Sequence, residues 1–242
     1  PPLPTLALPA APAAPNVDGR LDPAEWKAAA TVGNFLDIRD GAPSRLATRA
    51  YAMADDMALY VALDCPEPAM GKVAAKETQH DGTVWLEDGA EIFVGAASRE
   101  TYAHVIVTTA NVVLDERNQD AQAWNPKLAT AVQKRADGWS VEIALPWAEL
   151  AQAGVAREPL MTFNLCRSRY TESDPQAHTA WSPTYGGFHV PERFGLALLP
   201  TAPVALQQLS LPTRWGREAL RATVANAGRE PVVAEVSVGR DQ

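Results

Sequence analysis

Cysteine and histidine are scarce in this chain, and what there is of them is scattered. The two cysteines (Cys65, Cys166) and four histidines (His80, His104, His178, His189) show no zinc-ligand spacing, so no Cys/His metal motif is read. No apolar run approaches the roughly 20 residues that a membrane-crossing helix needs, and a helical membrane span is excluded. Cations are outnumbered, 21 Lys and Arg against 29 Asp and Glu, for a net charge of −8. Nucleic-acid binding draws its affinity from clustered Lys and Arg, which are dispersed here, so neutral ligands or cations suit the chain better. There is no Gly-x-Ser-x-Gly elbow, P-loop or dinucleotide fingerprint. Glu87 and Glu91 could be offered as a glycosidase pair, but nothing in their surroundings marks either as an acid of raised pKa, and no catalytic residue is expected.

Helix-compatible sequence is also short at the start. The chain opens Pro1-Pro2-Leu3-Pro4 and runs through Ala-Pro repeats to Pro15, which favours extended backbone. Residues 1–15 are read as a linker or edge segment; no charged n-region precedes it, so any export signal has been removed or lies outside this sequence. Cys65 and Cys166 each fall near the end of an expected strand. Two buried thiols are one reading; a disulfide, which would support export, is the other.

What the chain has in abundance is alternation. Runs of period-2 apolar residues, separated by Gly, Pro, Asp and Asn, predict strands near 47–53, 58–64, 90–95, 102–108, 112–117, 161–169 and 194–199. The clearest pair is 128–136 and 139–145, joined at Asp137-Gly138, a strong hairpin signal. In the second of these, Trp139, Val141, Ile143 and Leu145 share one face while Ser140 and Glu142 share the other. Helical patterns are confined to short pieces. One is 146–151; another follows Asp22, which is placed to cap a helix with Pro23 at its first position. The expected fold is all-β, a two-sheet antiparallel β-sandwich over 16–200. Residues 201–242 supply additional strands, near 220–225 and 231–238, as a last hairpin or the opening of an immunoglobulin-like domain.

The tryptophans divide by neighbourhood. Trp26, Trp139 and Trp147 sit in apolar periodic contexts and are expected in the core. Trp85, Trp124 and Trp181 lie in polar, loop-like stretches and are expected to be exposed. A flat exposed indole suits the C–H face of a pyranose ring, and the sugar hydroxyls then need charged partners. Glu91, His104, Arg117 and Arg167 are the candidates.

Several segments, in order, carry a resemblance. They are Val17-Asp18-Gly19 through Trp26, Asp55-Asp56 with Leu59-Tyr60-Val61-Ala62, Asp88-Gly89-Ala90-Glu91-Ile92-Phe93, and Gly138-Trp139-Ser140-Val141-Glu142-Ile143-Ala144-Leu145-Pro146-Trp147. Phe163-Asn164-Leu165 with Arg167, Ala180-Trp181-Ser182-Pro183 and Pro191-Glu192-Arg193-Phe194-Gly195 follow. On these the chain resembles family 9 carbohydrate-binding modules, within the wider DOMON-like superfamily.

The resemblance implies a non-catalytic module that holds a chain-end sugar between two tryptophans, in a secreted or periplasmic protein that carries further polysaccharide-acting domains. Trp85, six residues before Glu91, matches the first stacking tryptophan and Trp181 the second, with His104 facing the same cleft. It also implies structural calcium, for which Asp55, Asp56, Asp64 and Asp81 are the best-placed acids. Some relatives in the superfamily bind haem b through a methionine, which makes a cytochrome the alternative. Met53, Met57, Met70 and Met161 stand in no haem-ligand pattern.

Overall fold

A computed structural model describes residues 3–170, 177–199, 204–210 and 221–226. The alternation seen in the sequence becomes two facing sheets. In chain order the elements of the sandwich are β1 (Thr5–Ala7), α1 (Pro23–Trp26), β2 (Ala30–Val32), β3 (Leu36–Asp37), β4 (Arg49–Ala54), β5 (Ala58–Pro66), β6 (Gly89–Gly95), β7 (Tyr102–Thr108) and β8 (Val113–Arg117). They continue with β9 (Ala129–Arg135), β10 (Gly138–Pro146), α2 (Trp147–Gln152), β11 (Leu160–Ser168), β12 (Thr179–Ala180) and β13 (Gly195–Leu198). The larger sheet runs β1-β13-β11-β6-β7-β8, with β12 beside β11 and β3 beside β12; the smaller runs β2-β4-β5-β10-β9. Pairing is antiparallel throughout except for β1 on β13.

The core is the space between the sheets, and period-2 residues fill it from both sides. Ala90, Ile92 and Val94 of β6, Ala103, Val105 and Val107 of β7, and Met161, Phe163 and Leu165 of β11 face inward. Against them stand Leu59, Val61 and Leu63 of β5 and Trp139, Val141, Ile143 and Leu145 of β10. The Asp137-Gly138 hairpin forms as expected, with Gly138 opposite Arg135 and Ala144 opposite Ala129.

The other face of β10 explains the opening motif. The Glu142 carboxylate is fully buried and accepts from the backbone N–H groups of Asp18 (2.9 Å) and Gly19 (2.7 Å) and from the Trp26 indole N–H (2.7 Å). One carboxylate thus ties the Asp-Gly turn and α1 to a strand more than 115 residues away. Asp22 caps α1 by accepting from the Ala24 N–H, and Pro23 occupies its first turn. Gly19 is required twice over: its φ is +86°, and a Cβ there would lie 2.7 Å from the Val132 carbonyl carbon. Trp26 is buried outside the sheet pair, with Met53, Tyr60 and Ala62.

The Pro-rich start is an edge segment: β1 extends the larger sheet, and the Ala11 N–H donates to the carbonyl of Ala54 in the smaller one. Both cysteines are buried and free, Cys65 facing the core and Cys166 on the far side of the larger sheet. Burial pushes the Cys65 thiol up to about 12 and Cys166 well above its ordinary value. Two further strands, β14 (Val204–Ser210) and β15 (Arg221–Asn226), pair antiparallel with each other. The strand expected near 220–225 is β15, and its partner is 204–210; the segment 231–238 lies outside the described residues.

Candidate functional site

The face of the larger sheet that points away from the core is unusually polar. Register places Phe93, His104 and Glu116 in one row across β6, β7 and β8, and Glu91, Ile106 and Leu114 in the next. Cys166 and Ser168 continue that face on β11. Val84 packs on Ile106 and Leu114. It opens a single 3-10 turn (Val84–Leu86) that leaves Trp85 49 % exposed and Leu86 53 % exposed at the edge of this face. Tyr170, whose N–H donates to the carboxylate of Asp88, starts a row of rings. His178 follows at 4.9 Å, then Phe188 at 5.7 Å, then Phe93 at 6.4 Å between centroids.

Beneath these rings lies a buried charged cluster. The His104 ring stacks on Phe93 at 3.9 Å, and its nitrogens meet two carboxylates, Nδ1 with Glu116 at 2.8 Å and Nε2 with Glu91 at 2.9 Å. Ser168 donates to the other Glu91 oxygen. Burial alone would neutralise these groups, but pairing wins: His104 is held above its ordinary value by Glu116 and Glu91, and Glu91 below its own by His104 and Ser168. The His104 ring thus lies between two carboxylates. His189 packs edge-on against it at 4.8 Å, with Nδ1 3.0 Å from the Tyr102 hydroxyl and Nε2 3.5 Å from Glu116. Burial, then the charge on His104, pushes His189 down to about 4, so it is neutral.

Of the residues expected to bind sugar, the structure gathers Trp85, Glu91 and His104 on this outer face and sends the others elsewhere. Trp181 pairs along β11 beside Leu165 and lies over Gly195 and Phe163, on the core side of the sheet, opposite Glu91. The expected exposure of Trp124 is corrected. Its indole is 4 % exposed, closes the end of the core and donates to the Glu149 carbonyl at 2.8 Å. Polar neighbours in sequence report where the flanking side chains go, and in an extended segment the residue between them points the opposite way. Arg117 is exposed on β8, sharing the face of Ala103 rather than of His104. Arg167 is buried against the core, donating to Glu67 (3.2 Å) and Thr48 (3.1 Å) and lying over the Trp139 ring. Arg169 completes that group with two bonds to Glu67, at 2.6 and 3.0 Å.

The four acids expected at a calcium site do not converge. Asp55 accepts from the N–H groups of Met57 and Ala58 and from the Tyr60 hydroxyl; Asp56 pairs with Arg157, and Asp64 with Arg135. Asp81 alone has a second carboxylate for company, Asp115, with His80 Nε2 2.9 Å from it. Asp115 is buried with Oδ1 unpartnered, and burial, then the Asp81 charge, pushes it up to about 7. Met53 and Met161 are packed in apolar clusters, while Met57 is exposed. Glu116, His189, Ser168 and Tyr170 escaped the sequence reading. Only Glu116 left a signal there: once 102–108 and 112–117 are read as a hairpin, alternation puts it across from His104.

Comparison with known proteins agrees with this fold. The sequence profile described as "Carbohydrate family 9 binding domain-like" matches residues 17–202. A family 9 carbohydrate-binding module from Caldicellulosiruptor kristjanssonii, solved with cellotriose, superposes with a TM-score of 0.58 at 20 % identity, covering 81 % of this chain and 93 % of that one. The same type of module solved with glucose gives 0.58 at 19 % identity, covering 81 % and 95 %. A protein from Bacteroides uniformis, named for an assumed carbohydrate-binding role, gives 0.67 at 14 % identity, covering 82 % and 100 %. No curated protein matches the chain significantly. With the family profile spanning well over half its length, and with the sandwich and its motifs in place, the chain belongs to the carbohydrate family 9 binding domain-like family.

Proposed function

We propose that the chain is a non-catalytic carbohydrate-binding module whose ligand lies on the outer face of the larger sheet, against the Trp85 indole. The carrying observation is that exposed indole, beside a face whose polar groups include Tyr170, His178 and His189, all partly open to solvent. An aromatic plane for the C–H face of a sugar and hydrogen-bonding groups for its hydroxyls are the two requirements of saccharide recognition. Glu91 and His104 stiffen the floor rather than touch the sugar, since both are buried and mutually bonded. The modules solved with cellotriose and with glucose support the ligand class. The family supports action outside the cytoplasm, secreted or periplasmic, joined to further polysaccharide-acting domains; among the described residues no helix is long and apolar enough to cross a membrane. A glycan array followed by calorimetric titration tests the reading. Binding of an oligosaccharide that Trp85→Ala weakens is expected; an array without a hit would overturn it.

A structural cation belongs to the same reading, held by Asp81, one of the four acids named from sequence, together with Asp115 and His80. The unpartnered Asp115 oxygen and two adjacent carboxylates leave negative charge that a cation would offset. Two carboxylates fall short of the six to eight oxygens calcium takes, so backbone carbonyls and water would have to complete such a shell. A chelator should lower the melting temperature of protein purified with calcium; an unchanged temperature refutes the site.

A further inference from the structure

We infer that His104, Glu116 and His189 form a transition-metal site of the zinc type on the outer face of the larger sheet, separate from the Asp81–Asp115 group. One ligand atom from each lies within 4.8 Å of the other two. Two imidazole nitrogens and a carboxylate oxygen are a donor set for zinc and its neighbours, not for calcium or magnesium, which take oxygen.

The orientation of the rings adds an independent argument. Each imidazole has one nitrogen held by a partner outside the trio, His104 Nε2 by Glu91 at 2.9 Å and His189 Nδ1 by the Tyr102 hydroxyl at 3.0 Å. The remaining nitrogens, His104 Nδ1 and His189 Nε2, both turn to the same Glu116 oxygen, at 2.8 and 3.5 Å. Outer carboxylate and hydroxyl partners that fix the ring and its tautomer accompany metal-binding histidines as a rule. Ligand atoms around a four-coordinate zinc with bonds of roughly 2.0 to 2.1 Å sit about 3.4 Å apart, so small shifts would admit the ion.

Charge points the same way. Two buried carboxylates, Glu91 and Glu116, bracket the His104 ring. A divalent ion bound there takes unprotonated nitrogens from both rings. The ion, Glu116 and Glu91 then sum to zero around two neutral imidazoles. Phe93 stacks on one side and Tyr102 closes another, while His189, its side chain 28 % exposed, leaves a way in. Three protein ligands keep a fourth position for water or another small oxygen donor.

The test uses the whole chain, stripped with chelator and titrated calorimetrically with zinc chloride in calcium-containing buffer. Cobalt(II) absorption serves as a second readout. One zinc equivalent is expected that His189→Ala loses or binds at least tenfold more weakly, and that His80→Ala retains. His189 is partly exposed, so its variant should keep the melting temperature of the stripped parent. Tyr102→Phe, which removes only the outer partner, should weaken zinc about tenfold. Absence of stoichiometric zinc binding in the parent, or binding that His189→Ala leaves unchanged, overturns the site. Since neither readout involves a sugar, failure here leaves the carbohydrate reading standing.

Discussion

Trp85→Ala separates binding from folding more cleanly than any other change on the outer face. A tryptophan side chain presents about 150 to 250 Å²; with 49 % of the residue exposed, roughly 100 Å² of indole is open to a ligand. A sugar ring covering half to all of that surface gains about 1 to 2.5 kcal/mol at ~25 cal/mol per Å². Truncation should therefore raise the dissociation constant roughly five- to sixtyfold. The cost to the fold should stay within about 0.5 kcal/mol, because Val84 and not Trp85 anchors the turn in the apolar cluster. Trp85→Phe should retain part of the affinity. Met57→Ala, more exposed still but in the β4–β5 turn of the smaller sheet, should retain all of it. Calorimetric titration with the oligosaccharide found by array, alongside urea melts of each variant, measures both quantities. A folded Trp85→Ala protein that binds within twofold of the parent would refute the reasoning.

Three further changes test how the scaffold is held. Glu142→Ala leaves the N–H groups of Asp18, Gly19 and Trp26 without their acceptor, at about 1 to 3 kcal/mol each before relaxation, so a loss of about 3 to 5 kcal/mol is expected in urea melts; a loss under about 1 kcal/mol speaks against it. Gly19→Ala meets the Val132–Gln133 backbone at 2.7 and 2.8 Å in a left-handed conformation and should cost more than about 1 kcal/mol, where a neutral result would contradict the geometry. Glu67→Gln removes the negative charge that faces the buried guanidinium groups of Arg167 and Arg169 and should cost about 3 to 5 kcal/mol. Burial pushes Glu67 up, but Arg169 and Arg167 pull it net below its ordinary 4.5. Its contribution is thus complete above that value and fades as pH falls through the depressed one. Urea midpoints measured against pH should show a flatter acid limb in Glu67→Gln, and an unaltered limb would count against the assignment.

How much could be read beforehand differs between scaffold and site. The strand pair around Asp137-Gly138 was legible because a two-residue turn and period-2 faces are local properties. So was the burial of Trp139 and Trp147, and the capped turn of helix at Asp22. Exposure of single loop residues was not: Trp124 and Trp181 share polar neighbours with Trp85, yet both turn toward the core. Which way an isolated loop indole faces depends on whether a cavity waits for it, and that cavity is built by strands distant in sequence.

The same division runs through the chemistry. Alternation, turn residues and motif order determined by themselves that this chain is a two-sheet antiparallel sandwich of a carbohydrate-binding family, because those signals act over a few residues at a time. Only tertiary structure decided that Glu91 meets His104, that His104 meets Glu116 and His189, and that Glu142 serves the opening turn. It alone placed Trp181 on the opposite side of the sheet from Glu91. Those relations depend on register between strands and on loops folding back over a face. Shifting a strand by one residue would exchange every one of these side chains for its neighbour on the other side.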